Sequence, residues 1–173
     1  MTLPTDPYNF TNGSTADAEQ VDARFAALYA ALSAGGLDAA VLASEAWTAS
    51  TPTVTQSGTV AATVTHSRYV RLGRTIMWSF RLDVTGAGTY GNAIALSLPV
   101  AARAGNVFAA GTGYIYDASG PSMYVGAWHL ASTTTLHLID SDVASFASVG
   151  ASPSVTLASG DVISGTVTYE AAS

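Results

Sequence analysis

The chain has 173 residues, of which 49% are hydrophobic and only 10% are charged, and its formal net charge is −6. This length suits one ordinary domain plus an appendage, and the composition excludes a disordered chain, which would combine low hydrophobicity with high charge. The absence of cysteine excludes disulfides and thiolate zinc sites, and the acidic charge argues against a nucleic-acid ligand, which needs a basic patch.

The first segment, residues 1–14, is predicted to be an extended arm. Its prolines and its Asn-Gly pair interrupt any periodicity. Tyr8 and Phe10 are its large apolar side chains, so we expect the arm to dock on another protein through them. The segment lacks the charged and apolar regions of a signal peptide, and no apolar run of the chain reaches the roughly 18 residues of a membrane-spanning helix. The sequence therefore predicts synthesis and assembly in a cytoplasm, without membrane insertion.

A helix is predicted over residues 15–34. Ser14 or Thr15 is a suitable N-terminal cap, and the pair Gly35-Gly36 ends the helix. Apolar residues at alternating spacings of three and four form one stripe along it: Ala18, Val21, Phe25, Leu28 and Leu32.

This stripe needs a partner, because an isolated helix of this length is marginal in water. One possibility is that the helix lies on its own β-domain; the other is that it packs against further copies of itself. The Ala-rich opposite face favours close packing among copies, and the bulk of Phe25 favours three copies over two. We therefore predict that residues 15–50 form a trimerisation stalk and a collar, with the stripe as the trimer interface.

From about Thr51 the hydrophobic period changes from that of a helix to that of a strand. The clearest example is "RTIMWSFRLDVT", in which Ile76, Trp78 and Phe80 alternate with polar or exposed positions. Roughly eight such strands are separated by Gly, Ser and Pro turns. The sequence thus predicts a mainly β protein, with an antiparallel, jelly-roll-like β-sandwich over residues 51–173.

Residues with catalytic or ligating chemistry do not form a pattern in this sequence. His66, His129 and His137 lack metal or triad spacing, and no GxSxG motif is present. Four acidic residues lie in predicted loops, where their spacing predicts that they cap turns and does not indicate a calcium site: Asp117, Asp140, Asp142 and Asp161. We therefore predict a protein that is not an enzyme and that has no cofactor.

Aromatic residues near the turn "DASGP" are the candidates for contact with a glycan. Tyr116, Tyr124 and Trp128 flank this turn and would form an exposed rim. The sequence favours core packing or a subunit contact over glycan contact as the use of these three side chains.

The N-terminal segment "LPTDPYNFTNGSTADAEQVDARFAALYAAL" resembles the amino-terminal segment of small structural proteins from tailed bacteriophages. The stretches "YVRLGRTIMWSFRLDV", "ALSLPVAA" and "GDVISGTVTYEA" are similar to those of the jelly-roll heads of phage fibres, decoration proteins and receptor-binding proteins. The resemblance implies a homotrimeric virion protein with an anchoring arm, a helical stalk and a β head. It brings no catalytic residue with it.

Together these features predict a capsid decoration or short head-fibre protein that is anchored to major capsid or tail proteins by its arm. A tail-tip receptor-binding protein that recognises host surface glycans is the alternative. A glycan-cleaving enzyme is a third and weaker possibility.

Overall fold

The computed structural model describes residues 22–23, 25–30, 47–105, 109–142 and 146–172. The chain divides into two units, Met1–Glu45 and Ala46–Ser173. The first unit contributes only the helical residues 22–23 and 25–30 to the description, and none of the described helical residues belongs to a helix long and apolar enough to cross a membrane. The second unit contains all of the strands found among the described residues.

In its described ranges the second unit has ten strands, which are joined by short turns and by three longer connections, at 85–94, 98–108 and 141–161. Their bounds are β1 (Thr48–Ala49), β2 (Val54–Gln56), β3 (Gly58–Val60), β4 (Ala62–Leu72), β5 (Thr75–Val84), β6 (Ala95–Ser97), β7 (Ala109–Asp117), β8 (Ser122–Leu130), β9 (Thr135–Asp140) and β10 (Val162–Glu170).

All ten strands belong to one antiparallel sheet, in the order β1-β4-β5-β10-β7-β8-β9-β6-β2-β3. Four hairpins, β2–β3, β4–β5, β7–β8 and β8–β9, supply the local pairings. β10 divides this order into two parts, one made of β1, β4 and β5 and the other of the remaining six strands. It joins the two parts, because it pairs with β5 on one side and with β7 on the other. The sheet curls, so that its concave face encloses a core.

The core confirms the alternation predicted for "RTIMWSFRLDVT". Ile76, Trp78 and Phe80 on β5 are buried, whereas Met77 between them is exposed. Phe80 packs on Trp78 with ring centroids 4.3 Å apart. Buried residues from β2, β6 and β9, at the other end of the strand order, complete the same core: Val54, Leu96, Leu136 and Leu138.

Gln56 holds the curled sheet together from inside the core. Its Nε2 donates to the carbonyl oxygens of Asn92 (3.0 Å) and Val155 (2.6 Å), and its Oε1 accepts a hydrogen bond from the Leu157 amide (3.0 Å). A buried amide normally needs such partners, because an unsatisfied buried polar group costs about 1–3 kcal/mol. The side chain thus ties β2 to two loops that are distant in sequence.

The mainly β, antiparallel class predicted from the sequence is confirmed, and the arrangement of its strands differs in detail. Instead of two separate sheets, opposite parts of one curled sheet face each other across the core. The segments "TVAATVT" and "RYVRLG" overlap with one long strand, β4, which accommodates an irregularity of register between Val64 and His66. β1 lies in the segment predicted to be a collar, because Thr48 and Ala49 pair with β4.

The helix predicted over 15–34 is described only in part. Residues 22–23 and 25–30 are helical, and the remainder of the range lies outside the described residues. Its full length and its termini therefore stay predictions.

Candidate functional site

The helical residues 25–30 expose three large apolar side chains. Phe25, Leu28 and Tyr29 have 66%, 56% and 75% of their surface accessible. They occupy positions i, i+3 and i+4, which lie on one face of a helix. Phe25 and Leu28 belong to the predicted interface, whereas Tyr29 was not among the predicted residues. Its spacing of four from Phe25 was the signal that would have identified it.

The remaining residues of the predicted N-terminal sites cannot be placed in this way. They lie outside the described part of the chain: Tyr8, Phe10, Ala18, Val21 and Leu32. The anchoring role of the arm and the full extent of the stripe therefore stay predictions.

The predicted glycan rim does not exist as one surface. Trp128 is fully buried in the core, with 0% of its surface exposed, so its candidate place on an exposed rim is wrong and the favoured expectation of core packing is confirmed. Tyr124 is partly buried and packs against the core, whereas Tyr116 lies on the opposite face of the sheet, since its neighbour Ile115 is buried. The three side chains thus do not come together at the surface.

Trp128 is buried because two glycines leave room for its ring. Gly113 on β7 and Gly165 on β10 are directly opposite each other, and a Cβ atom on either would overlap the indole. The indole Nε1–H donates to the carbonyl oxygen of Ser164 at 3.2 Å, and Phe80 packs edge-on against the ring at a centroid distance of 5.4 Å. Trp128 is therefore a structural residue of the core.

Three of the four acids predicted to be caps accept hydrogen bonds from backbone amides: Asp117, Asp140 and Asp161. Asp117 Oδ1 accepts hydrogen bonds from the Ser119 hydroxyl (2.6 Å) and from the amides of Ser119 (2.9 Å) and Gly120 (3.1 Å). The bond from the Ser119 hydroxyl is the main cause of a lowered pKa of Asp117. The buried Asp161 accepts from the amides of Ala118 and Ala158 and so joins two loops. Within the described ranges, no three His, Asp or Glu side chains form a group suited to a metal ion.

Two histidines form a cluster that sequence spacing did not predict. His129 and His137 are paired across β8 and β9, with ring centroids 5.8 Å apart. His137 Nδ1 lies 2.9 Å from the Ser148 hydroxyl, and Phe146 packs on His129 at a centroid distance of 5.3 Å. Partial burial, followed by the neighbouring His129, lowers the pKa of His137. The cluster thus favours a neutral imidazole that holds the segment containing Ser148.

The free energy of unfolding should fall as the pH is lowered below 6.5, the ordinary pKa of His137. Because the pKa of His137 is lower in the folded state, the unfolded chain binds a proton first as the pH falls, whereas above 6.5 both states are neutral. His137→Asn should flatten this part of the pH dependence, measured by urea denaturation at a series of pH values. His66→Asn is the matched control, since His66 is exposed and this variant should keep the wild-type slope. Equal slopes for the wild type and His137→Asn would contradict the prediction.

Comparisons of the chain with protein families, with curated proteins and with solved structures find no match.

Proposed function

We propose that this protein is a non-enzymatic structural component of a bacteriophage particle, a homotrimeric capsid decoration or short head fibre. In this proposal residues 1–14 anchor the protein to a major capsid or tail protein through Tyr8 and Phe10. Residues 15–34 associate with the same segment of two further copies. The ten-stranded unit is the part displayed on the virion.

The observation that supports self-association is the exposure of Phe25, Leu28 and Tyr29 on one helical face. Burying a side chain of this kind contributes about 1.5–3 kcal/mol relative to leaving it in water. In a symmetric bundle every copy has the same apolar stripe, so the stripe of each copy is buried against the stripes of the others. The resemblance of the N-terminal segment to that of phage structural proteins favours three copies.

The chemistry of the ten-stranded unit supports a structural role. Asp117 and Asp161 accept hydrogen bonds from backbone amides, and Gln56 bridges buried backbone groups. Each of these polar side chains maintains the fold rather than facing a shared cleft.

Deletion of residues 1–14 tests the assigned division of roles. The truncated protein should keep the mass of the intact oligomer in light scattering, because the helical stripe is retained. It should no longer sediment with phage particles, because the anchor is missing. The double variant Tyr8→Ala/Phe10→Ala is the milder form of the same test and should also lose particle binding.

Two results would contradict the proposal. Incorporation of the truncated protein into particles would place the anchor elsewhere. A monomeric truncated protein would show that oligomer formation depends on the arm.

A tail-tip receptor-binding protein that recognises host glycans is the second candidate. One observation favours it: Trp47 is in the ten-stranded unit and has 51% of its surface exposed. An exposed indole offers a large apolar face together with a polar N–H, the combination that carbohydrate sites use.

A further inference from the structure

A groove of about 300 Å³ lies between Trp47 and the outer face of the sheet. Trp47 directly precedes β1, and the pairing of Thr48 with Tyr69 on β4 fixes the backbone at this point. Side chains of β5, β7 and β10 form the opposite side of the groove: Met77, Ser79, Thr112, Thr166 and Thr168. The groove thus has one aromatic wall and a floor rich in hydroxyl groups.

Three of these hydroxyls stand in a single row across the sheet. Ser79 on β5 is directly opposite Thr166 on β10, and Thr166 is directly opposite Thr112 on β7. Neighbouring strands lie about 4.8 Å apart, a separation comparable with that of alternate hydroxyl groups on a pyranose ring. All three residues line the groove, and none of their side chains hydrogen-bonds to another residue in the described part of the chain, so their hydroxyl groups are available to a ligand.

A second hollow, also of about 300 Å³, lies on another side of Trp47. Its lining includes Trp47, His66, Arg68 and Ser79. Because Trp47 and Ser79 line both hollows, one extended ligand can contact the indole and occupy both.

Arg68 gives the second hollow a positive charge. Among the described arginines near it in sequence, Arg74 is paired with Glu170 and Arg81 with Asp83, and Arg71 donates to the Gly73 carbonyl oxygen. Arg68 makes no such bond to another described residue. A guanidinium group is well suited to bind a carboxylate with two parallel hydrogen bonds.

We infer that this pair of hollows is a carbohydrate-binding site for a saccharide that contains a carboxylated pyranose. The apolar face of one ring packs on Trp47, and its hydroxyls bond to the row Ser79, Thr166 and Thr112. The carboxylate of the same or the adjacent ring binds Arg68. The site belongs to the ten-stranded unit and does not depend on the proposed trimer or on the virion anchor.

Binding is tested with matched oligosaccharides that end in glucuronate or in glucose, measured by calorimetry on the full chain. The wild type should bind both, and the glucuronate form more tightly. Trp47→Ala should weaken binding of both by about tenfold or more. Arg68→Gln should remove the preference for glucuronate and keep binding of the glucose form. Tyr90→Ala is the matched control, because Tyr90 is an exposed aromatic residue outside both hollows, and it should bind like the wild type.

Tryptophan fluorescence locates the bound ligand independently. Trp78 and Trp128 are buried and Trp47 is exposed, so quenching by acrylamide reports mainly on Trp47. Saturating glucuronate oligosaccharide should protect the wild type from quenching. Thr166→Val, which keeps the shape and removes one hydroxyl of the row, should weaken this protection.

The inference is overturned if the wild type binds neither oligosaccharide, or if Trp47→Ala binds as tightly as Tyr90→Ala. Equal affinity for glucuronate and glucose in the wild type would overturn the role of Arg68 and with it the stated ligand class. None of these results bears on particle incorporation, so a failure here is distinguishable from a failure of the proposed structural role.

Discussion

Replacing Trp128 by alanine should lower the free energy of unfolding by about 3–5 kcal/mol, the range for removing a large aromatic side chain from a core. The indole is completely buried, and its partners cannot easily move into the space it leaves. Phe80 packs against one edge of the ring, and the glycines Gly113 and Gly165 have no side chains that could fill the cavity. The Ser164 carbonyl would also lose the hydrogen bond from Nε1. Urea denaturation followed by far-ultraviolet circular dichroism measures the change.

The matched control is Trp47→Ala, which removes the same side chain from an exposed position. Its effect on unfolding should stay within about 0.5 kcal/mol, as is usual for surface substitutions. Gly165→Ala tests the same packing from the other side, because its Cβ would overlap the indole and overpacking costs about 1–3 kcal/mol. Equal stabilities of the two tryptophan variants would contradict the buried position of Trp128.

If the protein forms the proposed trimer, replacing Phe25 by aspartate should convert that trimer to monomers. Light scattering should then give the 17.6 kDa of one chain instead of three times that mass. In a trimer the change would bring three carboxylates into one apolar interface, where an unpaired charge is costly to bury. The exposed monomer tolerates the same aspartate, because Phe25 is largely accessible to solvent in the single chain.

Ala23→Asp is the matched control for this experiment. Ala23 is helical and exposed, and helical geometry places it on the side away from Phe25 and Leu28. This variant should remain a trimer. That result would show that Phe25→Asp disrupts the trimer because of where the aspartate lies and not because of the added charge alone. A trimer that persists in Phe25→Asp would place the assembly contacts in the ten-stranded unit, and a monomeric wild type would overturn the trimer itself.

Burial along β5 was predictable from the sequence because each strand residue faces either the core or the surface. Trp78 and Phe80 alternate with Met77 and Ser79, so the period of two directly indicates which side chains are buried. The period of two did not predict the burial of Trp128. In "SMYVGAWHL" small residues weaken the alternation, and the space for the indole is created by glycines on β7 and β10, which are distant in sequence.

The surroundings of Trp47 were also not predicted, for a different reason. It directly precedes a two-residue strand, and no periodic pattern surrounds it, so its position beside a groove was not predictable from the sequence. Its surroundings depend on the pairing of β5, β10 and β7. Strand periodicity indicates which face a residue occupies, but it does not indicate which strands become neighbours. The row of hydroxyls from Ser79, Thr166 and Thr112 was therefore beyond prediction.

The position of β10 has a consequence for the order in which this unit folds. The hairpin β4–β5 and the meander β7–β8–β9 are local, so both can form early during synthesis. β10 is the last strand of the sheet to be synthesised, yet it is the one that pairs with both parts. Until the ribosome has released residues 162–170, the two parts have unpaired edges at β5 and β7, which are the surfaces most prone to aggregation. Completion of the sheet is thus a late, long-range step, and the speed of that step determines how long newly made chains remain vulnerable.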